Sequence, residues 1–292
     1  MIIDAHQHVC WHGRDTAGLI RDLDDQHIDQ TWLLTWEIAP WEHQESHHRF
    51  LNPLHRRADG THAGIPLEDL LRARDAYPDR FIVGYAPHPL MGDAAALFEA
   101  AHAMHGIRIC GEWKCQMLID DPRCLNLFRT AGRLGCPVVL HLDVPYRPDA
   151  GGKLLYQRDW YGGSVENLAR ALDACPRTVF IGHAPGFWRE ISGDADNDPA
   201  VYPTGPITPG GRLPDLFERH PNLYADLSAG SALRALSRDP DHARRFLLRY
   251  SERLLFARDS YGGGLQTFID TLELPCDVRD RLFFKNAKGL LT

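Results

Sequence analysis

Eight short apolar runs recur along the chain, at 2–5, 31–36, 81–86, 107–112, 137–142, 178–183, 222–227 and 253–258. Segments of helical character separate them, at 16–27, 65–77, 92–105, 121–135, 163–174, 211–219, 231–250 and 265–273. Several of these segments have recognisable ends. Asp120 or Asp121 followed by Pro122 reads as an N-cap with proline in the first turn, and Gly135 follows the last periodic residue. Ser164 precedes apolar positions 165, 168, 169 and 172 at helical spacing. Tyr77-Pro78, Cys175-Pro176 and His220-Pro221 each stop a helix ahead of the next run. Strand and helix alternating eight times predicts an α/β fold, a parallel (β/α)8 TIM barrel built as one domain over residues 1–292. An open doubly wound sheet is the competing arrangement, but no Gly-x-Gly-x-x-Gly follows any of the runs. A final helix over 276–290 is expected to close against the side or floor of the barrel.

Composition narrows the partners. Apolar residues make up 44% and charged residues 24%, enough to bury a sizeable core. The net charge of −7 argues against nucleic acid, because phosphate binding needs concentrated Lys and Arg. No run of about 18 apolar residues suits a membrane span. The start, Met-Ile-Ile-Asp-Ala-His, has no basic n-region and no long apolar stretch, so no signal peptide is expected. Seven scattered cysteines, odd in number and without Cys-x-x-Cys, suit reduced thiols in a cytoplasmic protein. The expected partner is a small-molecule substrate, and a homo-oligomer is compatible with this composition.

The ends of the apolar runs carry the chemistry. Asp4-Ala5-His6-Gln7-His8 ends the first, and strand alternation puts Asp4, His6 and His8 on one face. A lone His-x-His is as well explained by an exposed polar strand end, and the chain has 16 histidines. Later runs end in Glu112 and Lys114, in His141, in His183 and in Asp259. In a barrel, Cys110/Glu112/Lys114, Val139/His141, Val179/Ile181/His183 and Leu255/Ala257/Asp259 would point inward. Ile107, Ile109, Val138, Leu140, Phe180, Leu254 and Phe256 would then pack on helices. His6, His8, Glu112, His141, His183 and Asp259 would thus meet at the C-terminal mouth, where barrel enzymes keep their chemistry. Imidazole and carboxylate together are ligands for zinc and its neighbours.

With this constellation the chain resembles the amidohydrolase superfamily, and within it the amidohydrolase-related (amidohydrolase 2) group of metal-dependent hydrolases and decarboxylases. The resemblance spans nearly the whole chain and includes Lys285-Asn286-Ala287 with Leu290 and Leu291. It implies that His6, His8, His141 and Asp259 hold a divalent metal. It makes His183 either a second-metal ligand or the histidine that polarises a water or carbonyl. Strand four departs from the pattern, since Glu112 and Lys114 are both candidates there; a carboxylate ligates without modification, so Glu112 is preferred. The cofactor implied is one or two ions, zinc first, with manganese or iron as alternatives. Asp259 and His183 are the expected catalytic residues, with Asp259 as the base for a metal-activated water. The reaction expected is hydrolysis of a small-molecule ester, lactone or amide. Non-oxidative decarboxylation of an aromatic or unsaturated acid is the alternative, and a catalytically idle binding barrel ranks below both.

Three long connections, 37–64, 143–162 and 184–210, all follow strands and so would crowd one rim. Candidates for the substrate pocket are Arg14, Tyr85, His88, Lys114 and Trp188, with Tyr146, Lys153, Arg158, Trp160 and Arg189 from the loops. His43, His47, His48, His55 and His62 are spaced too irregularly to share a helix or strand face, and read as loop. Asp194, Asp196 and Asp198 lack the Gly and Glu of a calcium loop and read as solvated.

Overall fold

The computed structural model describes all 292 residues. Eight parallel strands form its centre: β1 (Ile3–Gln7), β2 (Gln30–Leu34), β3 (Phe81–Gly84), β4 (Cys110–Trp113), β5 (Val138–His141), β6 (Phe180–His183), β7 (Leu223–Asp226) and β8 (Leu254–Leu255). Pairing runs β1-β2-β3 and β4-β5-β6-β7-β8. Two further joins close the ring. Gly84 bridges Ile109, with Tyr85 N donating to Ile109 O at 2.9 Å, which links β3 to β4. Ala5 N donates to Phe256 O and Asp259 N to His6 O, both at 2.9 Å, which links the end of β8 to β1. The architecture is a (β/α)8 barrel. No helix is long and apolar enough to cross a membrane.

Alternation along the strands sorts the core into two parts. Ile3, Ala5, Trp32, Leu34, Ile109, Val139, Ile181, Leu255 and Ala257 fill the barrel, and Ala287 and Leu291 of the C-terminal segment close its floor. Asn286 fixes that segment, donating from its amide to Ser251 O and Leu254 O, both at 2.7 Å. The opposite faces, Val138, Leu140, Phe180, Leu254 and Phe256, pack against the surrounding helices.

Two strands depart from simple alternation. On β4, Ile109 faces the interior and Cys110 the helices, the reverse of the sequence expectation, yet Glu112 still faces inward. The register of β4 on β5 shifts between Cys110 and Trp113, which changes the phase within the strand. The register of β1 on β2 likewise shifts between Asp4 and Gln7. Asp4 therefore does not share a face with His6: it points toward the helix Thr16–Asp25, while its neighbours Ile3 and Ala5 point inward.

The expected helix over 231–250 is two helices, Ala229–Ser237 and Pro240–Arg249. Pro240 has no N–H to donate and cannot continue the first, so it opens the second under an Asp239 cap that accepts from His242 N at 2.9 Å. The final helix over 276–290 is a continuous helical run, Cys276–Gly289, with a π turn at Arg281–Lys285.

Asp4 has a structural role at the seam between β1 and β8. Its carboxylate accepts from Arg258 Nε at 2.8 Å and from Arg258 N at 2.9 Å, and the guanidinium also reaches Asp22 at 2.7 Å. All three side chains are buried. Removing one partner of a buried ion pair leaves the other charge unsolvated. Arg258→Met should therefore cost about 3–5 kcal/mol of stability in urea unfolding; a loss below about 1 kcal/mol, the range of exposed pairs, would rule the pair out as a support of barrel closure.

Candidate metal centre

The mouth of the barrel gathers polar side chains that have no business in an apolar core. His6, His8, Glu112, His141 and His183 are all buried, and Asp259 lies four residues past the end of β8. Each imidazole is oriented by a partner on its outer side. His8 Nδ1 donates to Leu34 O at 2.7 Å, which leaves the Nε2 lone pair free. His6 Nδ1 donates to Asp226 Oδ2 at 2.8 Å, with the same result. Ser228 gives its only hydroxyl proton to Asp226 Oδ1, so it can only accept from His183 Nδ1, at 2.8 Å. His183 Nε2 therefore also carries a lone pair toward the centre.

Asp226 thus sets the tautomers of two histidines at once, one directly and one through Ser228. Burial would raise its pKa, but the two histidines and the hydrogen bonds hold it below the ordinary carboxylate value. Trp188 braces it from behind, its indole N–H donating to Asp226 O at 3.1 Å. Asp226 is not among the residues expected from the sequence, although it stands at the tip of β7 in the same position as the other strand-end residues. That position was the available signal.

The inward-facing atoms form two overlapping sets that share His6: His6, Glu112 and His183 in one, His6, His8 and Asp259 in the other. Within each set the donor atoms lie within 4.8 Å of one another. His8 Nε2 is 3.4 Å from both Glu112 Oε2 and Asp259 Oδ1. His6 Nε2, Glu112 Oε2 and Asp259 Oδ1 are shielded from solvent and have no hydrogen-bond partner. Each such atom costs about 1–3 kcal/mol, and more when charged. Lone pairs converging in this way repel unless a cation stands among them, so the residues present fit a divalent ion. Imidazole nitrogen with carboxylate oxygen suits zinc, manganese or iron.

The charges agree. Burial pushes His6 down, but Asp226, Asp259 and Glu112 outweigh it and raise its pKa to about 9, so these carboxylates favour positive charge at this point. Burial would raise Glu112, yet Lys114 and the hydrogen bond and charge of His141 take it well below the ordinary value. His183 is lowered, chiefly by burial, and stays neutral.

His141 reaches the cluster between two carboxylates. Its Nδ1 faces Glu112 Oε1 at 2.7 Å and its Nε2 faces Asp143 Oδ2 at 2.9 Å. Burial and Lys114 lower its pKa, but the two carboxylates outweigh them and the net shift is upward. Carboxylates at both nitrogens hold the ring in place, with Nδ1 turned toward Glu112 in the cluster.

Above the cluster lies a cavity of about 490 Å³, floored by His141, His183 and Asp259 and walled by Trp36, His47, Phe50, Lys114, Arg147, Arg158, Tyr161 and Tyr202, among others. Of the five principal substrate candidates only Lys114 lines it. Its ammonium sits 4.1 Å over the Trp36 ring and 5.3 Å from that of Tyr161, with no carboxylate paired to it. Arg14 lies outside, paired with Asp22 at 3.1 Å and stacked 4.0 Å from Tyr261. Tyr85 and His88 are buried beneath the 37–64 segment, bonded to Glu37 and Glu42 at 3.0 Å each. Trp188 is wholly buried behind Asp226. Among the loop candidates Arg158 and Arg189 line the cavity. Arg189 is spent on the backbone carbonyls of Ala195, Asp198 and Ala200 and stiffens the wall. Two aspartates of that loop are paired, Asp194 with Arg238 at 2.8 Å and the solvent-exposed Asp196 with Arg212 at 2.6 Å.

No family model matches the chain, and no curated protein matches it by sequence. Solved structures do. The chain is similar to a dihydroxybenzoic acid decarboxylase from Polaromonas sp. JS666, solved with manganese and 2-nitroresorcinol bound (TM-score 0.58, 17% identity, 99% of this chain and 96% of that one). It is similar to 2,6-dihydroxybenzoate decarboxylase from Rhizobium (TM-score 0.59, 15% identity, 99% and 98%). A probable 2-pyrone-4,6-dicarboxylic acid hydrolase from Acinetobacter baumannii, with citric acid bound, matches at TM-score 0.55 and 14% identity over 99% and 98%. At these identities the likeness establishes a shared barrel architecture over almost the entire length of both partners.

The geometry makes Asp226 a positioning residue. Asp226→Asn keeps the shape but cannot accept from both His6 and Ser228 as a carboxylate does. Its affinity for zinc, measured by competition with a chelator, should fall about 10–100-fold; an unchanged affinity would separate Asp226 from the centre.

Proposed function

We propose that residues 1–292 act as one domain, a metal-dependent hydrolase of the amidohydrolase-related kind that cleaves an ester, lactone or amide bond in a small molecule. The observation that carries this reading is the convergence of three shielded, unpartnered donor atoms, His6 Nε2, Glu112 Oε2 and Asp259 Oδ1, beneath an open cavity that Asp259 lines. His6, His8, Glu112, His141, His183 and Asp259 would hold one or two ions, with Glu112 bonded to His141. Zinc is the proposed metal; manganese, bound in a similar barrel, is the alternative. A divalent cation held there supplies Lewis acidity to water and to a substrate carbonyl.

The chain's own residues do the rest. Asp259 lies at the cavity floor, and its backbone is pinned in the left-handed region (φ 46°) by Asp259 N donating to His6 O at 2.9 Å and Trp11 Nε1 donating to Asp259 O at 3.2 Å. Its carboxylate takes the proton of the attacking water and returns it to the departing oxygen or nitrogen. Lys114 offers a positive charge for an anionic group of the substrate or for the oxyanion that develops. The rings of Trp36 and Tyr161 hold that ammonium at the wall. All seven cysteines are free, which suits a reducing cytoplasm.

Decarboxylation of an aromatic or unsaturated acid is the second reading, favoured by the cationic wall of Lys114, Arg147 and Arg158. Product analysis separates the two. Metal-loaded protein offered lactones, esters and hydroxybenzoic acids should open the former without releasing carbon dioxide; carbon dioxide from the acids alone would overturn the hydrolase reading.

Two variants test the roles. Asn tolerates the left-handed backbone as Asp does. Asp259→Asn should therefore retain metal yet lose about 10²–10⁴ in turnover; activity like the parent's would remove Asp259 as the base. Lys114→Met should raise KM for an anionic substrate roughly 10–100-fold, as expected for a charge-assisted bond of about 1.5–3 kcal/mol. A loss confined to kcat would instead assign Lys114 to the oxyanion.

A further inference from the structure

A second group of donors lies away from the barrel mouth, on the segment between β2 and β3. His43, Glu45 and His48 each present a donor atom, and the three lie within 4.8 Å of one another. The reading of this histidine-rich stretch as plain loop is incomplete: it has no helix or strand face, but its short 3-10 turn, Glu45–Arg49, folds Glu45 and His48 back on His43. The two imidazole rings stand 4.8 Å apart and tilted by 49°.

These donors are not consumed by the fold. His48 Nδ1 is shielded from solvent and has no hydrogen-bond partner. Glu45 is exposed and takes part in no ion pair, and the arginine Arg57 acts on His43. That arginine is committed elsewhere, to the carbonyls of Ile38 at 2.6 Å and His62 at 2.8 Å. His43 accepts one long bond, from His62 N at 3.3 Å. It is the only hydrogen bond that ligation through the other ring nitrogen would displace.

We propose that His43, Glu45 and His48 form an accessory site for a borderline divalent cation of the zinc class, separate from the centre at the barrel mouth. Two imidazoles and a carboxylate are a three-residue donor set for such an ion, with a fourth position left to water. The site would act on the cavity wall. His47 lies between two of the ligands, packs edge-on to Trp36 at 5.1 Å between ring centres, and lines the cavity with Phe50. A cation clamping His43, Glu45 and His48 together holds the turn that carries both residues. This inference does not rest on the reaction assigned to the central site.

Zinc content decides it. The full-length protein is stripped with chelator, dialysed against zinc chloride and analysed for bound metal. Wild type should hold one equivalent more than a His43→Gln/His48→Gln variant, and a His6→Ala/His8→Ala variant should keep that equivalent. Equal zinc in wild type and the folded His43→Gln/His48→Gln protein overturns the proposal. Glu45→Ala guards against a folding failure, because its side chain is exposed. Removing a ligand should cost at least the roughly tenfold that losing an outer-shell partner costs; undiminished zinc affinity in Glu45→Ala overturns the proposal equally. Loss of zinc from the central site alone would overturn only the reading of the barrel mouth.

Discussion

The seam where β8 meets β1 is the contact on which the candidate centre depends. His6 and His8 come from the first strand and Asp259 from just beyond the last, more than 250 positions later in the chain. A backbone bond between Asp259 N and His6 O brings them together, and the buried Asp4–Arg258–Asp22 network locks the seam one layer out. A barrel that failed to close would still have its strands and helices. It would have no His6–His8–Asp259 set, because these donors belong to opposite ends of the sheet.

Closure concentrates charge that an apolar interior resists. Glu112, Asp226 and Asp259 surround His6, and His141 is held between two carboxylates. The fold tolerates this by giving each histidine an outer partner that fixes which nitrogen faces the centre: Leu34 O for His8, Asp226 for His6 and Ser228 for His183. Buried imidazoles so oriented are pre-organised donors, and their inward lone pairs are satisfied by a cation more readily than by one another.

Much of this was legible in the residues. Eight apolar runs with helical segments between them foretold the barrel, and the polar residues ending those runs marked the rim because strand ends converge in a closed ring. Strict alternation misread two strands. On β1 and β4 the register shifts just before the histidines and Glu112, so Asp4 turned out to face a helix and Ile109 and Cys110 exchanged faces. A register shift depends on how one strand sits against its neighbour, and no single strand's sequence carries it. The pocket candidates fared worse, since Arg14, Tyr85, His88 and Trp188 all found partners outside the cavity.

The sequence by itself determined the order of elements and the chemistry at their ends, because periodicity and residue type are local properties. It also contained Asp226, Ser228 and the His43–Glu45–His48 stretch, but without any sign of what they would touch. Tertiary structure alone decided those roles. Which nitrogen of a histidine is free, which carboxylate is left unpartnered and which lysine faces a cavity are set by contacts between residues far apart in the chain. The physical reason is the cost of burial: a polar group removed from water must find a partner, and only the closed fold settles which partner it meets.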